Sequence, residues 1–150
     1  DSSLVVLLPA IKDFHLEDIV KVYGYIPFKE SLMRQKESTV LLLLSWNDPR
    51  DKGTLTGKVY DYIGAGRPIM AIAFKGGEID KLLTRTGCGV IAKEPEEIRE
   101  VILRWLKEFR QSGEISSYYS PSEESIKQYT RREQARQLAQ ALDEVTTSRE

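Results

Sequence analysis

The sequence predicts an α/β fold with a doubly wound parallel sheet flanked by helices. Three observations predict it. Five apolar runs of strand length occur along the 150 residues. Segments with helical spacing alternate with these runs. The run of four leucines at residues 41–44 shows no polar alternation, which is typical of a parallel strand buried on both faces.

Composition places the chain among ordinary globular proteins with a small-molecule or protein partner. Hydrophobic residues make up 41% and charged residues 30%, enough for one core. The net charge of −1 supplies no basic field for nucleic acid. No apolar segment reaches the ~20 residues of a membrane span. The single cysteine, Cys88, excludes an internal disulfide, fits a reducing cytosol and is expected to be buried.

The first half of the chain is predicted to contain three strands and two helices. Residues 4–8, ended by Pro9, form the first predicted strand, and residues 19–23 form the second. A short helix is expected over 27–36, with proline in its first turn. The third strand covers 39–44, and a helix of about ten residues begins at Gly57 and ends at Gly-Ala-Gly.

The second half continues the alternation. Strands are predicted over 69–73 and 88–92, with a helix over 78–85 between them. Pro95 opens the clearest helix, whose buried face is expected to hold Ile98, Val101, Ile102, Trp105, Leu106 and Phe109. Thr130 and Glu133 form a capping box for a last helix. The residues of that helix predicted to face inward are Ala135, Leu138, Ala139, Leu142 and Val145.

A candidate anion site lies where the helix at Gly57 begins. Helix N-termini at the carboxyl ends of parallel strands present free N–H groups and the positive end of the helix dipole. Backbone groups of Thr54, Leu55, Thr56 and Gly57 are therefore candidates for binding a diphosphate without a metal. A threonine here can equally serve as a simple N-cap. Lys58 offers a positive charge to a phosphate, or is an ordinary exposed helix lysine.

Other residues near this helix have a functional and a plain interpretation. Asp61 can accept hydrogen bonds from two ribose hydroxyls, or can be a solvated helix acid. Trp46 follows the third strand and either stacks on a ligand or shields the end of the sheet. His15 is the only histidine, so neither a histidine metal site nor a Ser/His/Asp triad can be assembled. No residue is identifiable as a catalytic base.

The segment from Lys58 to Pro68, Lys-Val-Tyr-Asp-Tyr-Ile-Gly-Ala-Gly-Arg-Pro, precedes the strand Ile-Met-Ala-Ile. It resembles the donor-side signature of GT-B glycosyltransferases of the group 1, family 4-like type. Further similar pieces occur in the same order: Val-Tyr-Gly-Tyr-Ile-Pro at 22–27, Gly-Gly-Glu at 76–78, Gly-Cys-Gly-Val at 87–90 and Tyr-Thr-Arg-Arg-Glu-Gln-Ala at 129–135. The resemblance covers nearly the whole chain.

This resemblance implies a Rossmann-like domain that binds a nucleotide-diphosphate sugar. GT-B enzymes have two such domains, and residues 1–150 look like the C-terminal donor domain, shortened at its N-terminus, with residues 121–146 as a helical segment packed on it. The missing N-terminal domain would bind the glycan, lipid or other acceptor. The implied enzyme is a metal-independent hexosyltransferase of the cytoplasm or the inner membrane face. The chain alone is expected to be inactive.

The resemblance also assigns roles to individual residues. Asp61 matches the second acid of a Glu-seven-residues-Glu pattern, which hydrogen-bonds ribose. The first acid, which contacts the transferred sugar, would fall at Gly53 and is absent. Asp48 or Asp51 can replace it only with different spacing. Tyr25 and Ile26 lie where the family contacts the base, and Lys58 lies near the departing phosphate.

Two alternatives to a glycosyltransferase remain at the level of sequence. One is a sugar-nucleotide epimerase built from the same two domains, although such enzymes need acids and histidines in the cleft. The other is a flavodoxin-like interaction module without catalysis. That module would carry an acidic cluster at the ends of its early strands, and residues 4–9 end without one.

Overall fold

The computed structural model describes the backbone of residues 2–147 and the side chains of residues 5–146. It divides into two compact units, Asp1–Ser31 and Leu32–Glu150. The first unit contains α1, Ser2–Asp13, followed by a turn around Leu16–Val20. The boundary between the units falls within α2, Phe28–Glu37, which confirms the helix predicted over 27–36.

Two of the five predicted strands are wrong. Residues 4–8 belong to α1, and residues 19–23 form turn and irregular backbone. A continuous apolar run has no period that separates a strand from a buried helix, so residues 4–8 fitted both structures. In residues 19–23, the N–H groups of Ile19 and Val20 both donate to the Leu16 carbonyl, at 3.0 and 2.8 Å. These local bonds take the place of the hydrogen bonds that a strand would make to a neighbouring strand.

The second unit is built on a three-stranded parallel sheet in the order β1-β2-β3. The strands are β1 Leu41–Leu44, β2 Ile69–Ile72 and β3 Gly89–Ile91, and all three were predicted. Leu41 pairs with Ile69, and Ile69 pairs with Gly89. The α/β class with a parallel sheet is therefore confirmed. Strand order does not reverse among the described residues, so the doubly wound topology is not seen there.

Helices cover both faces of this sheet. On one face, α3 Gly57–Ala65 and α4 Glu78–Thr86 pack on Leu41, Leu43, Ile69 and Ala71. On the other face, α5 Pro95–Ser112 packs through Val101 and Trp105 on Met70 and Ala92. The strand alternation of two residues thus sends Ile69 and Met70 into different cores. Ile102, Leu106 and Phe109 of α5, predicted to be buried, are exposed.

The two outer strands of the sheet differ in their cover. Beside β3, the N–H of Ser120 donates to Gly87 and that of Ser122 donates to Thr86, each at 2.9 Å. These bonds lead into α6, Glu123–Lys127, which packs on α4. On β1, Leu41 and Leu43 are buried on one face, whereas Leu42 and Leu44 on the opposite face are 47% and 66% exposed. The expectation that this strand is buried on both faces is therefore wrong among the described residues.

The last helix, α7 Arg131–Thr147, begins as predicted but does not bury its apolar residues. The Glu133 N–H donates to Thr130 Oγ1 at 3.3 Å, which confirms the threonine half of the capping box. Leu138, Leu142 and Val145 are between 57% and 62% exposed, and Ala135 and Ala139 are exposed as well. The prediction that these five residues face inward is wrong. Periodicity identifies an apolar face, but it does not supply a surface for that face to cover.

Candidate functional site

The candidate site lies at the carboxyl edge of the sheet, where the loops after β1 and β2 lead into α3 and α4. Three segments form it: the loop 45–56, the first turn of α3 and the turn 73–77 before α4. Because all three strands are parallel, their carboxyl ends meet at this one edge. Ligands of open α/β sheets bind at such edges.

Thr56 is the N-cap of α3. Its backbone is extended, at φ −82° and ψ 142°, and its Oγ1 accepts from the Lys58 N–H at 3.1 Å. The plain capping role considered from the sequence is therefore present. The cap leaves other donors unused: in the part of the chain that the structure describes, no hydrogen bond has the N–H of Leu55, Thr56 or Gly57 as its donor. Leu55, Gly57 and Lys58 are also exposed.

Asp51 ties the two ends of the loop together. Its Oδ1 accepts from Thr54 Oγ1 at 2.6 Å, and its Oδ2 accepts from Ser45 Oγ at 3.3 Å. The Thr54 hydroxyl proton is therefore committed to Asp51 and is not offered to a ligand. The Thr54 N–H donates to the Asp51 carbonyl at 2.9 Å, so its backbone donor is used as well. Within the segment 54–57, free donors lie at residues 55–57.

Asp48 is bound to its neighbour Arg50. The guanidinium donates to both carboxylate oxygens, at 2.9 and 2.6 Å, and the Arg50 N–H donates at 2.8 Å. These bonds with the Arg50 side chain, followed by the backbone bond, hold the pKa of Asp48 below its usual value. Both acids suggested as replacements for the one missing at Gly53 thus have partners within their own loop.

Lys58 and Asp61 lie on α3, one turn apart. Lys58 is exposed in the first turn, and no acidic residue occurs in that turn. Asp61 is half-buried and lines a cavity of about 330 Å³ between α3 and the part of α2 from Leu32 onward. Burial, and secondarily the charge of Asp61, raises the pKa of Tyr62. Because Asp61 is half-buried and lines this cavity, it faces an open groove and not the core.

Tyr25 and Ile26 lie in the first unit, and α3 lies in the second. Tyr25 is 96% exposed and follows Gly24, which has a φ of +65°. Ile26 is half-buried. Their contact with a base therefore stays a prediction.

The turn 73–77 is occupied by contacts of the chain with itself. The Glu78 N–H donates to the Lys52 carbonyl at 2.9 Å, and the Gly76 N–H donates to Asp80 Oδ2 at 2.7 Å. A Cβ on Gly77 would lie 3.0 Å from the Phe74 carbonyl oxygen and 3.1 Å from that of Lys52. This glycine permits a close approach of backbone.

Comparison with known proteins finds no matching family model, no matching curated protein and no matching solved structure. Among the helices of residues 2–147, none has both the length and the apolar character needed to cross a bilayer. Within the same residues, no three side chains of the His, Cys, Asp and Glu types form a group suited to a metal ion.

Sequence reasoning missed two features of this edge. The first is the role of Asp51 as a tie between Ser45 and Thr54, for which the spacing Asp-x-x-Thr was an available signal of a local turn. The second is the bond from Glu78 to the Lys52 carbonyl, which joins residues 26 positions apart. No local pattern could have indicated that bond.

Proposed function

We propose that this chain is the donor-binding domain of a GT-B glycosyltransferase and that it binds a nucleotide-diphosphate sugar. The single observation that carries the proposal is the first turn of α3. It offers the N–H groups of Leu55, Thr56 and Gly57 beside Lys58, at the carboxyl edge of a parallel sheet. Such a turn is a binding site for phosphate, and residues 55–58 are named the phosphate seat here. The likeness of residues 58–68 to the donor signature supplies the class of ligand.

In this proposal the diphosphate binds across the α3 N-terminus. As the bond between the sugar and the phosphate oxygen breaks, negative charge grows on the departing nucleoside diphosphate. The amides and Lys58 are already in place to stabilise that charge, so little reorganisation is required. The chain's part in transfer is therefore positioning and electrostatic stabilisation, without a covalent step.

Asp61 is proposed to bind the ribose. A carboxylate can accept from two neighbouring hydroxyls, and Asp61 opens onto the cavity between α2 and α3, one turn from the phosphate seat. Its half-exposed position leaves room for a ligand. Thr54 takes part only through its position in the loop, because its hydroxyl and its N–H are both bonded to Asp51.

The proposal extends beyond the three strands that the structure describes. We place this sheet in a larger Rossmann-like, doubly wound sheet that forms the C-terminal half of a two-domain enzyme. An acceptor domain would complete the active site in a cytoplasmic protein that touches the membrane surface through that domain. The donor would bind without a metal ion. The chain by itself would transfer no sugar.

Titration calorimetry with UDP, GDP and dTDP in the absence of magnesium tests the proposal. At least one nucleotide is expected to bind. Asp61→Asn is expected to weaken binding of the preferred ribonucleotide about tenfold, the scale of one hydrogen bond to a charged group. The exposed Asp18→Asn in the first unit is the matched control and should bind as the unchanged chain does.

The 2′-deoxy form of the same nucleotide separates ribose contact from a general effect of charge. Asp61→Asn should weaken binding of this form less than binding of the ribonucleotide, because only the 3′-hydroxyl remains to donate to Asp61. Equal losses for the ribose and deoxyribose forms would contradict the role given to Asp61. Failure of all three nucleotides to bind would contradict the whole proposal and favour a non-catalytic interaction module.

A further inference from the structure

Trp46 is an exposed aromatic residue at the carboxyl edge of the sheet. It lies two positions after the end of β1, and 77% of its surface is accessible. A tryptophan that shielded the end of the sheet would be buried against it. Within the residues that the structure describes, Trp46 therefore does not shield the end of the sheet.

The loop that carries Trp46 is tied to the entrance of α3. Ser45, its neighbour, donates its hydroxyl to Asp51, and the Ser45 N–H donates to the Ile72 carbonyl at 2.9 Å. The same Asp51 carboxylate accepts from Thr54, two residues before the Thr56 cap. One carboxylate therefore binds both Ser45, the residue before Trp46, and Thr54, the residue before the free amides of residues 55–57.

The second tryptophan of the chain shows what a structural tryptophan looks like here. Trp105 is 3% exposed, packs in the core between the sheet and α5, and donates its indole N–H to the Ser117 carbonyl at 2.8 Å. Its apolar surface and its polar group are both satisfied. Trp46 has its ring in solvent on a loop with fixed ends, beside a candidate ligand site.

We propose that Trp46 is the stacking surface for the base of the nucleoside diphosphate whose phosphates bind at the α3 N-terminus. This inference rests on the proposed function. Stacking on an aromatic ring tolerates any base, because every base has a π face, and it grows with the stacked area. Trp46 should therefore add affinity for every nucleotide, more for the purine of GDP than for the pyrimidine of UDP. It should add none for inorganic pyrophosphate.

Calorimetry and tryptophan fluorescence test this on the full 150-residue chain. Trp46→Ala is expected to weaken GDP and UDP binding by about 5- to 100-fold, the range for loss of one stacked base, and Trp46→Phe by less. Pyrophosphate should bind equally to all forms. Phe14→Ala, which removes a ring 73% exposed in the first unit, is the control and should change nothing.

Fluorescence gives a second readout because the chain has only two tryptophans. Nucleotide should quench the emission of the unchanged chain and leave that of Trp46→Phe unaltered, since the remaining Trp105 is buried in the core. Unchanged nucleotide affinity in Trp46→Ala would overturn this inference and leave the proposed function standing. A matching loss for pyrophosphate would also overturn it, by showing a disturbed loop. No nucleotide binding by the unchanged chain would overturn both proposals.

Discussion

The N-termini of α3 and α4 lie at the same edge of the sheet and are capped in opposite ways. At α4 the chain supplies its own acceptors: the Lys52 carbonyl binds the Glu78 N–H, and Asp80 binds the Gly76 N–H. Glu78 and Asp80 add negative charge in that first turn. At α3 the first turn has no acid and contains Lys58, and Thr56 satisfies one N–H.

This difference shows how one fold makes similar helix ends unequal. The positive end of α4 is already neutralised by carboxylates and a carbonyl, so a phosphate would meet like charge there. The end of α3 combines exposed backbone donors with a cation and therefore favours an anion. The location of a helix N-terminus alone would not separate the two. The residues of the first turn do.

The largest expected effect comes from removing one amide of α3. Gly57→Pro should weaken nucleotide binding about ten- to a hundredfold, because it deletes a donor to a charged group. Proline suits the first helical position, Thr56 already has the extended backbone that precedes proline, and no atom lies within 4 Å of a Cβ at Gly57. Calorimetry with the preferred nucleotide measures the effect.

Gly57→Ala is the matched control for that change, since it adds a Cβ and keeps the N–H. It should bind nucleotide as the unchanged chain does. If the proline and alanine forms bound equally well, the amides of α3 would have no part in ligand binding, and the contrast with α4 would lose its functional meaning.

The second prediction compares glycine substitutions at the two helix starts. Gly77→Ala should lower the free energy of unfolding by about 1–3 kcal/mol, because its Cβ would crowd two backbone oxygens at 3.0 and 3.1 Å. Gly57→Ala should raise it by about 0.4–1 kcal/mol by restricting the unfolded chain. Urea unfolding of both variants measures the difference. Equal effects would show that the α4 turn is not tightly closed.

The smallest expected effect is on the titration of Glu78. Its bond to Lys81, at 2.6 Å, is the main cause that holds the Glu78 pKa below its usual 4.5. A depressed pKa stabilises the fold above pH 4.5, and this contribution is lost as pH falls through the lower folded value. Carbon-detected NMR should show the low midpoint, and Lys81→Met should move it upward. An unchanged midpoint would assign the shift to another group.

The sequence predicted the three strands of the sheet because each lies between clear start and stop signals. Residues 69–73, for example, lie between the Gly-Arg-Pro turn and a glycine pair. It failed at residues 4–8, where an apolar run with no period fits a helix as well as a strand. It also failed on the exposed face of α7, because periodicity does not say what covers a helix. The helix starts at Gly57 and at Pro95 were both predicted correctly.

The candidate site was predictable in position and not in detail. The order of strand, loop and helix placed Thr54 to Lys58 at the carboxyl edge. Which hydroxyls and amides are already bonded depends on how the loop 45–56 folds back on itself. Asp51 takes the Thr54 hydroxyl, and Thr56 takes the Lys58 N–H. Such bonds follow from tertiary geometry, which residue spacing does not fix.

The single cysteine gives this chain an internal reporter of its own opening. Cys88 is 3% exposed immediately before β3, and burial raises the pKa of its thiol. The thiolate is the reactive form, and Cys88 is buried, so an alkylating reagent will react with it only when that side of the domain transiently opens. The rate of alkylation therefore measures how often the sheet opens locally at Cys88. A ligand that stabilises the closed state of the domain would lower this rate.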